Sequence, residues 1–427
     1  MAGKIREINA AEYESEVLGS ERAVLDFYST ECPPCEALAS KYESLSELYG
    51  EDITFFKIFR QGNRELAEDL GVTGSPTVIF YRSGERVGET LTGGVKRSEL
   101  VENLDSLISE ERAREIKSAV KPVTTDTDVV VLGGGPAGLT AAIYLAQAHI
   151  DTVVVDPALP GGYVATTHQV SNYPGFIEPQ AGFMLAHFIS EQAKAAGADF
   201  RAAVDITRVD LDAKEVEVDG YETLRAKRIV IATGSSPRPL GLPGEKEYRG
   251  QGLSYCATCD AKYYDDKEVI VIGGGNSAIE ESLFITKFAS KITVIHQFAE
   301  LQANKLAQQK AFDNPKIEFL FRHEPREFIR HGTNDMEVVV EDLETGERKP
   351  LKSAGIFIFV GFLPNLGEFG GKLDLDQWGY VKTDETMRTN IDGVYAVGDV
   401  GSKSYRQITT ATADGTVAAI DIAKDLE

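Results

Sequence analysis

Four cysteines carry the first chemistry, in two C-x-x-C pairs: Cys32 with Cys35 and Cys256 with Cys259. Such a pair can make and break a disulfide, or supply half of a zinc site. A zinc site would have to unite pairs from opposite halves of the chain, each with its own surroundings. A secreted disulfide scaffold would use more cysteines at wider spacings. Two redox dithiols are the better reading, with no metal. Cys32 stands where a strand gives way to a helix. Unpaired N–H groups and the helix dipole stabilise a thiolate there, so Cys32 is the expected attacking sulfur. Cys35, one turn on, can then reach it and release a mixed disulfide. Asp26 lies in the preceding strand, where a buried carboxylate can take the resolving thiol's proton.

Phosphate chemistry appears in Gly133, Gly135 and Gly138, a G-x-G-x-x-G run between a strand and a helix. The first glycine allows the turn, the second admits a pyrophosphate, and the third lets helix and strand close up. Asp156 ends the next strand, TVVVD, and can bind ribose hydroxyls. The pattern recurs as Gly273-x-Gly275-x-x-Ala278, with Asn276 inside it. DVVVLGGGPAGLTAAIYLA and EVIVIGGGNSAIEESLFIT therefore imply two dinucleotide-type units. In the second copy, glycines used only for packing remain an alternative.

The elements that must hold these groups follow the same punctuation. AVLDFYS (23–29) and ITFFKIF (53–59) read as strands, with helices after Cys32 and at 63–70. A hairpin follows at 77–91, and KRSELVENLDSLI (96–108) has a helical apolar stripe. The charged, then Pro- and Thr-rich stretch 111–125 reads as a linker. The expected divisions are 1–110, 126–245 joined with 356–427, and an inserted 246–355. At 427 residues with 44 Lys+Arg against 67 Asp+Glu, net −23, the chain repels nucleic acid and anionic membranes. No apolar run is long enough to span a bilayer, and MAGKIREINAAEYESEV lacks a signal's apolar core. A cytoplasmic protein is expected.

Cys32/Cys35 beside a β/α pattern, Asp26, and Ser75-Pro76-Thr77 before the hairpin make residues 1–110 resemble thioredoxin. The resemblance implies a cis Pro76 against the dithiol. It departs at Glu31-Cys32-Pro33-Pro34-Cys35, where the family usually has W-C-G-P-C. Two prolines stiffen the turn, and Glu31 adds a negative charge beside the sulfur.

From residue 128 onward the resemblance is to the low-molecular-weight thioredoxin reductases. It rests on IVIATGSSPRP (229–239), GVYAVGDV (393–400), Tyr405-Arg406-Gln407, and Cys256-Ala257-Thr258-Cys259-Asp260 just before the second glycine unit. The implied fold class is α/β: an N-terminal thioredoxin fold plus a two-dinucleotide-binding-domain flavoprotein disulfide reductase fold. The implied cofactor is FAD. Its expected contacts are Gly133, Gly135, Pro136, Ala137, Gly138, Asp156, Gly162, Tyr163, Asn172, Ala232, Thr233, Gly234, Gly398, Asp399, Arg406, Gln407 and Ile408. By resemblance Cys259 faces the flavin, Cys256 exchanges with the outside disulfide, and Asp260 moves the proton. Electrons would pass from a donor to FAD, to Cys259/Cys256, to Cys32/Cys35, and on to client disulfides. A homodimer is expected from the family.

The donor is where the sequence departs. NADPH enzymes of the family read H-R-R-D-x-x-R-A after the second unit, and those arginines hold the 2′-phosphate. Here the segment is His296-Gln297-Phe298-Ala299-Glu300-Leu301-Gln302-Ala303, neutral at all three arginine positions. His296 also replaces the acid that NADH would use. Tyr163 stands where the family has Gln, beside the flavin. These changes argue against NADPH, and the resemblance implies that members without the arginines can take electrons from reduced ferredoxin, so a donor other than NADPH, such as ferredoxin, is the first expectation. An NAD(P)H enzyme comes second and an oxygen-using dithiol oxidase third. A non-catalytic FAD-binding redox sensor is the alternative of another class. Arg322, Arg326 and Arg330 either meet an acidic carrier or form a solvated face, and the latter is favoured.

Overall fold

The computed structural model describes residues 5–167, 170 and 172–427, and every side chain among them except those of Cys259 and Glu368. The first unit comprises β1 (Arg6–Ile8), β2 (Arg22–Tyr28), α1 (Pro33–Tyr49), β3 (Thr54–Phe59), α2 (Arg64–Asp69), β4 (Thr77–Arg82), β5 (Glu85–Thr92) and α3 (Arg97–Leu107). Its sheet runs β1-β3-β2-β4-β5, parallel among the first three strands and antiparallel from β4 onward. Both faces are apolar because helices cover both. Leu38, Leu45, Leu100 and Leu104 meet Val24 and Phe80 on one side. Ala67 meets Phe27 and Ile58 on the other.

The stretch expected as a linker contains a helix, α4 (Glu110–Ala119), and the start of β6 (Val123–Leu132). Only Ala113 and Ile116 of α4 are buried, so its charged composition hid a narrow apolar stripe. Arg112 bonds Asp52 at 2.8 Å and Lys117 pairs with Asp105 at 2.6 Å, which holds α4 to the first unit.

After β6 come α5 (Pro136–Gln147), β7 (Thr152–Asp156), α6 (Gly182–Ala196), β8 (Asp199–Ala202), β9 (Ile206–Asp210), β10 (Glu215–Val218) and β11 (Glu222–Ile231). The chain then leaves through β12 (Ser235–Pro237) into an inserted unit. That unit holds α7 (Glu245–Tyr248), β13 (Leu253–Ser254), α8 (Ala257–Asp260), β14 (Glu268–Ile272), α9 (Asn276–Ile285), β15 (Lys291–His296), α10 (Lys305–Phe312) and β16 (Ile317–Phe321). A three-stranded antiparallel sheet follows, from β17 (His323–Gly332), β18 (Asp335–Asp342) and β19 (Arg348–Ser353). Then β20 (Gly355–Ile358) closes the parallel sheet β13-β20-β14-β15-β16. The chain returns through β21 (Phe362–Pro364), which pairs antiparallel with β12, so both crossings run side by side. Finally β22 (Val394–Ala396) joins β11, and α11 (Ile408–Leu426) packs on α5.

The repeat read from the sequence is present in three dimensions. Gly133 and Gly273 both have a left-handed φ, 107° and 133°. A Cβ on either would collide with a backbone carbonyl, of Ala232 or of Phe359. Each turn feeds a helix N-terminus at the carboxyl end of a parallel sheet, the place where such folds bind ligands. Among the described residues no helix is long and apolar enough to cross a membrane.

Candidate active site

The first dithiol is a disulfide between Cys32 and Cys35. Cys32 caps α1, with Pro33 and Pro34 in the first helical positions, where a missing N–H costs nothing. Its Sγ accepts from the Cys35 N–H at 3.3 Å and lies 3.4 Å from the Ser75 carbonyl. The Ser75–Pro76 peptide is cis, as expected. Asp26 is buried in β2, and its Oδ1 has no hydrogen-bond partner. Burial pushes its carboxyl up to about 7, against the pull of Lys57 on the neighbouring strand. A group poised there can exchange a proton with a thiol near neutral pH.

A cavity of about 1290 Å³ opens above β6, β7 and β11. It brings together Gly133, Gly135, Pro136, Ala137, Asp156, Gly162, Tyr163, Ala232, Thr233, Gly234, Gly398, Asp399, Arg406, Gln407 and Ile408. Gly138 does not line it and instead lets α5 close on β6, since a Cβ there would strike the Gly133 carbonyl. Asn172 also stands off the wall and donates to the Gln407 carboxamide at 3.1 Å. Asp156 accepts from the Gly134 N–H at 2.6 Å and the Ala158 N–H at 2.8 Å, so its carboxylate is fixed before any ligand arrives. Thr233 Oγ1 and Asp399 Oδ1 are buried at this cavity without a partner. Orphaned polar groups are costly, and here they await a ligand's hydroxyls or ring nitrogens. Gly162 approaches Gly135 so closely that a Cβ would stand 2.9 Å from its Cα. A long, phosphate-bearing, hydroxyl-rich group such as FAD fits these residues.

The second dithiol motif packs against Thr166, a residue of the cavity wall. Cys256, itself disulfide-bonded, precedes α8, and its Sγ lies 3.3 Å from Thr258 Oγ1 and 3.7 Å from the Thr166 carbonyl. Thr258 donates to that carbonyl at 2.9 Å. Thr166 ends the short turn Gly162–Thr166 that lines the cavity. The Cys259 side chain lies outside the described residues; its backbone, with that of Asp260, completes α8. Tyr163 ties the seam: its ring meets Phe362 edge-on at 5.4 Å and its hydroxyl donates to the Tyr255 carbonyl at 3.4 Å.

A second cavity, about 500 Å³, lies at Gly273, Gly274 and Gly275. Asn276 turns away from it and accepts from the Asn304 N–H at 2.7 Å, and Ala278 is buried in packing. His296 occupies the position that Asp156 holds in the first unit. Its imidazole lies so close over Gly274 that a Cβ there would run into the ring. Burial lowers its pKa, favouring the neutral ring. Arg326 is occupied by Glu324 and Glu341. Among the described residues the Arg238 side chain has no hydrogen bond or ion pair, although it lines this cavity. Arg322 pairs with Glu344, so two of the three arginines of that run belong to a solvated, ion-paired face.

Comparison with known proteins decides the family. Residues 127–415 match the pyridine nucleotide-disulphide oxidoreductase family and residues 4–106 match thioredoxin. A thioredoxin reductase of Peptoclostridium acidaminophilum is 42% identical over 307 residues, 70% of this chain and 97% of that protein. One of Bacillus subtilis (strain 168) is 41% identical, over 68% of this chain and 92% of its own. The chain belongs to the thioredoxin reductase family. The crystal structure of the Lactococcus lactis thioredoxin reductase, in its FR conformation, superposes with a TM-score of 0.64 at 39% identity, over 70% of this chain and 98% of that one. That of T. acidophilum also gives 0.64, at 32% identity, over 70% of this chain and 99% of that one. The remaining part of this chain is chiefly the thioredoxin domain.

Several residues at these sites are not singled out by the sequence. Arg238 lay within a quoted motif, but nothing local said that its side chain reaches the second cavity. Glu281, on α9 one turn beyond Ser277, interacts electrostatically with Tyr163, and burial with help from Glu280 pushes it up to about 7. Lys41 did carry a signal: it interrupts the apolar stripe Leu38, Tyr42, Leu45 of α1, and it is buried.

Proposed function

We propose that this chain is an FAD-dependent thioredoxin-disulfide reductase that carries its thioredoxin substrate in the same polypeptide. The observation that supports it most is the seat of Cys256 on Thr166, in the wall of the cavity that leaves Thr233 and Asp399 unsatisfied. Bound FAD would supply electron pairs to the Cys256/Cys259 disulfide, held by the glycine turn, Asp156 and Asp399. The Cys256 thiolate would then attack the Cys32–Cys35 disulfide, forming a Cys256–Cys32 bond and releasing the Cys35 thiolate, which in this reading takes a proton from Asp26. The Cys259 thiolate, its proton taken by Asp260, attacks Cys256 in turn, closing the first disulfide and freeing Cys32 as a thiolate. The reduced pair passes its electrons to client disulfides. Tethering places the two couples at roughly millimolar effective concentration.

The division into 1–110, a connector at 111–125, 126–245 with 356–427, and 246–355 belongs to this reading. The β12/β21 crossing is the hinge by which the dithiol would face flavin and then substrate. Cross-linking the two modules should abolish turnover and leave FAD bound; unchanged turnover would refute the hinge. A homodimer is part of the reading, supported by Tyr144, Phe183 and Ile420 left exposed on α5, α6 and α11.

For the donor, a reductant other than NADPH, with ferredoxin as the named example, accords best with neutral His296 and the absence of arginine from 297–303. An anaerobic stopped-flow bleach of the bound flavin tests this, since rapid bleaching by micromolar NADPH would reject it. Peroxide release from added dithiols in air would instead favour the oxidase. Loss of insulin reduction in Cys256→Ser, with activity in the parent, excludes a non-catalytic sensor.

A further inference from the structure

Lys41 lies in a helix stripe that should be apolar, yet all three of its ammonium protons have acceptors. They go to the Val95 carbonyl at 3.0 Å, Ala202 at 2.8 Å and Ala203 at 2.6 Å. The last two belong to the FAD-binding unit. Without that unit Lys41 would keep one of its three protein partners, so its burial and two of its three hydrogen bonds belong to the contact between the units.

Other contacts cross the same boundary. Lys96 pairs with Asp205 at 2.9 Å, and Arg97 lies over the Tyr221 ring at 4.8 Å. Gly94 leaves little space: a Cβ there would stand 3.2 Å from Leu159. At the far side the charges reverse, Glu36 meeting Lys194 at 2.9 Å. Basic groups against Asp205 and Asp219 at one end, and an acid against lysine at the other, fix a single orientation.

The contacted edge is the one that carries the sulfurs. Glu36 directly follows Cys35. Gly93, beside Gly94, donates to the Pro76 carbonyl at 3.4 Å, and Pro76 follows the Ser75 whose carbonyl touches Cys32. The pose is nevertheless not one of electron transfer. Cys32 is bonded to Cys35, and Cys256 packs on Thr166. Lys194 lies in the last turn of α6, whereas Gly182, its first residue, donates to the Thr167 carbonyl beside Thr166. Twelve residues of helix separate the two by roughly 18 Å, while exchange needs sulfur in bonding contact with sulfur.

We propose that the FAD-binding unit carries a docking site for the chain's own thioredoxin unit, built from Leu159, Lys194, Ala202–Asp205 and Tyr221. It parks the dithiol edge between turnovers. The domain must lift off both to be reduced and to meet a client. This rests on the reading of Cys32/Cys35 as the terminal couple.

The test uses the full FAD-loaded chain and a phosphine reductant, so it needs no electron donor. Reduction of the Cys32–Cys35 disulfide is quenched by alkylation and followed by peptide mass, with the Cys256 peptide as internal control. Lys96→Glu should speed reduction of Cys32–Cys35 roughly fivefold or more at low salt. The charge swap Lys96→Glu with Asp205→Lys should restore the parent rate. Raising the salt on the parent chain should mimic Lys96→Glu without any substitution. Equal rates in parent and Lys96→Glu, with no response to salt, would overturn the dock. Insulin reduction by the parent and its loss in Cys256→Ser report separately on the underlying reading.

Discussion

The two glycine units of the reductase portion share strand, turn and helix, and differ in what waits beside the turn. In the first, Asp156 accepts the Gly134 N–H and the cavity holds two orphaned polar atoms. In the second, His296 lies over Gly274, and its Nε2 lies 3.2 Å from the Glu300 carbonyl. The first has residues that fit FAD. The second has the same backbone turn with a histidine where the first has its acid. A fold repeated within one chain therefore need not repeat its side chains, and in the reading proposed above the residue ending the second strand decides what a ribose would meet.

The largest effect expected from breaking that contrast is in the first unit. Asp156→Leu removes the acceptor of two backbone N–H groups and, with it, the proposed ribose contact. The purified protein should lose its yellow absorbance on gel filtration, while its secondary structure remains intact by circular dichroism. Retained FAD would mean that the acid only braces the turn.

A carboxyl without such backbone donors sharpens the point. Asp26 is held up at about 7 by burial, above its unfolded value of 3.8. Between those values the unfolded chain ionises first, so stability falls as pH rises from about 4 to 7 and stays reduced above. Asp26→Asn should stabilise the thioredoxin unit at pH 8 by about 4 kcal/mol at most, and by little at pH 4. Calorimetry on the full chain at both pH values checks this. An equal gain at both would place the effect in packing.

Next in size is the reverse exchange in the second unit. His296→Asp restores an acid at the strand end and should speed flavin bleaching by NADH about tenfold, with FAD content unchanged and NADPH no better. No gain would show that the small cavity is closed to nucleotides for another reason. The smallest effect is expected from Arg238→Gln. Any residual nucleotide bleaching should slow by only a few-fold, since Arg238 is a single exposed cation.

The sequence was most legible where chemistry depends on near neighbours. Both C-x-x-C pairs, both glycine turns and the hairpin at β4 and β5 are written in runs of a few residues. Most expected flavin contacts line one cavity because short motifs place them at strand ends. Contacts between distant segments were opaque. Nothing near Lys41 says that its partners are Ala202 and Ala203, 161 and 162 residues on. Helix α4 was missed because it needs only Ala113 and Ile116 for burial and is otherwise fixed by ion pairs. Asn276 kept the expected place in the turn, but its side chain turns toward Asn304.

The account stands on the order of the two sulfur couples. Anaerobic photoreduction of the bound flavin feeds electrons in without any natural donor, and rapid alkylation with peptide mass then reads each cysteine pair. The account predicts that Cys32 and Cys35 become thiols in the parent chain and stay a disulfide in Cys256→Ser. Equal reduction of Cys32 and Cys35 in both proteins would contradict it.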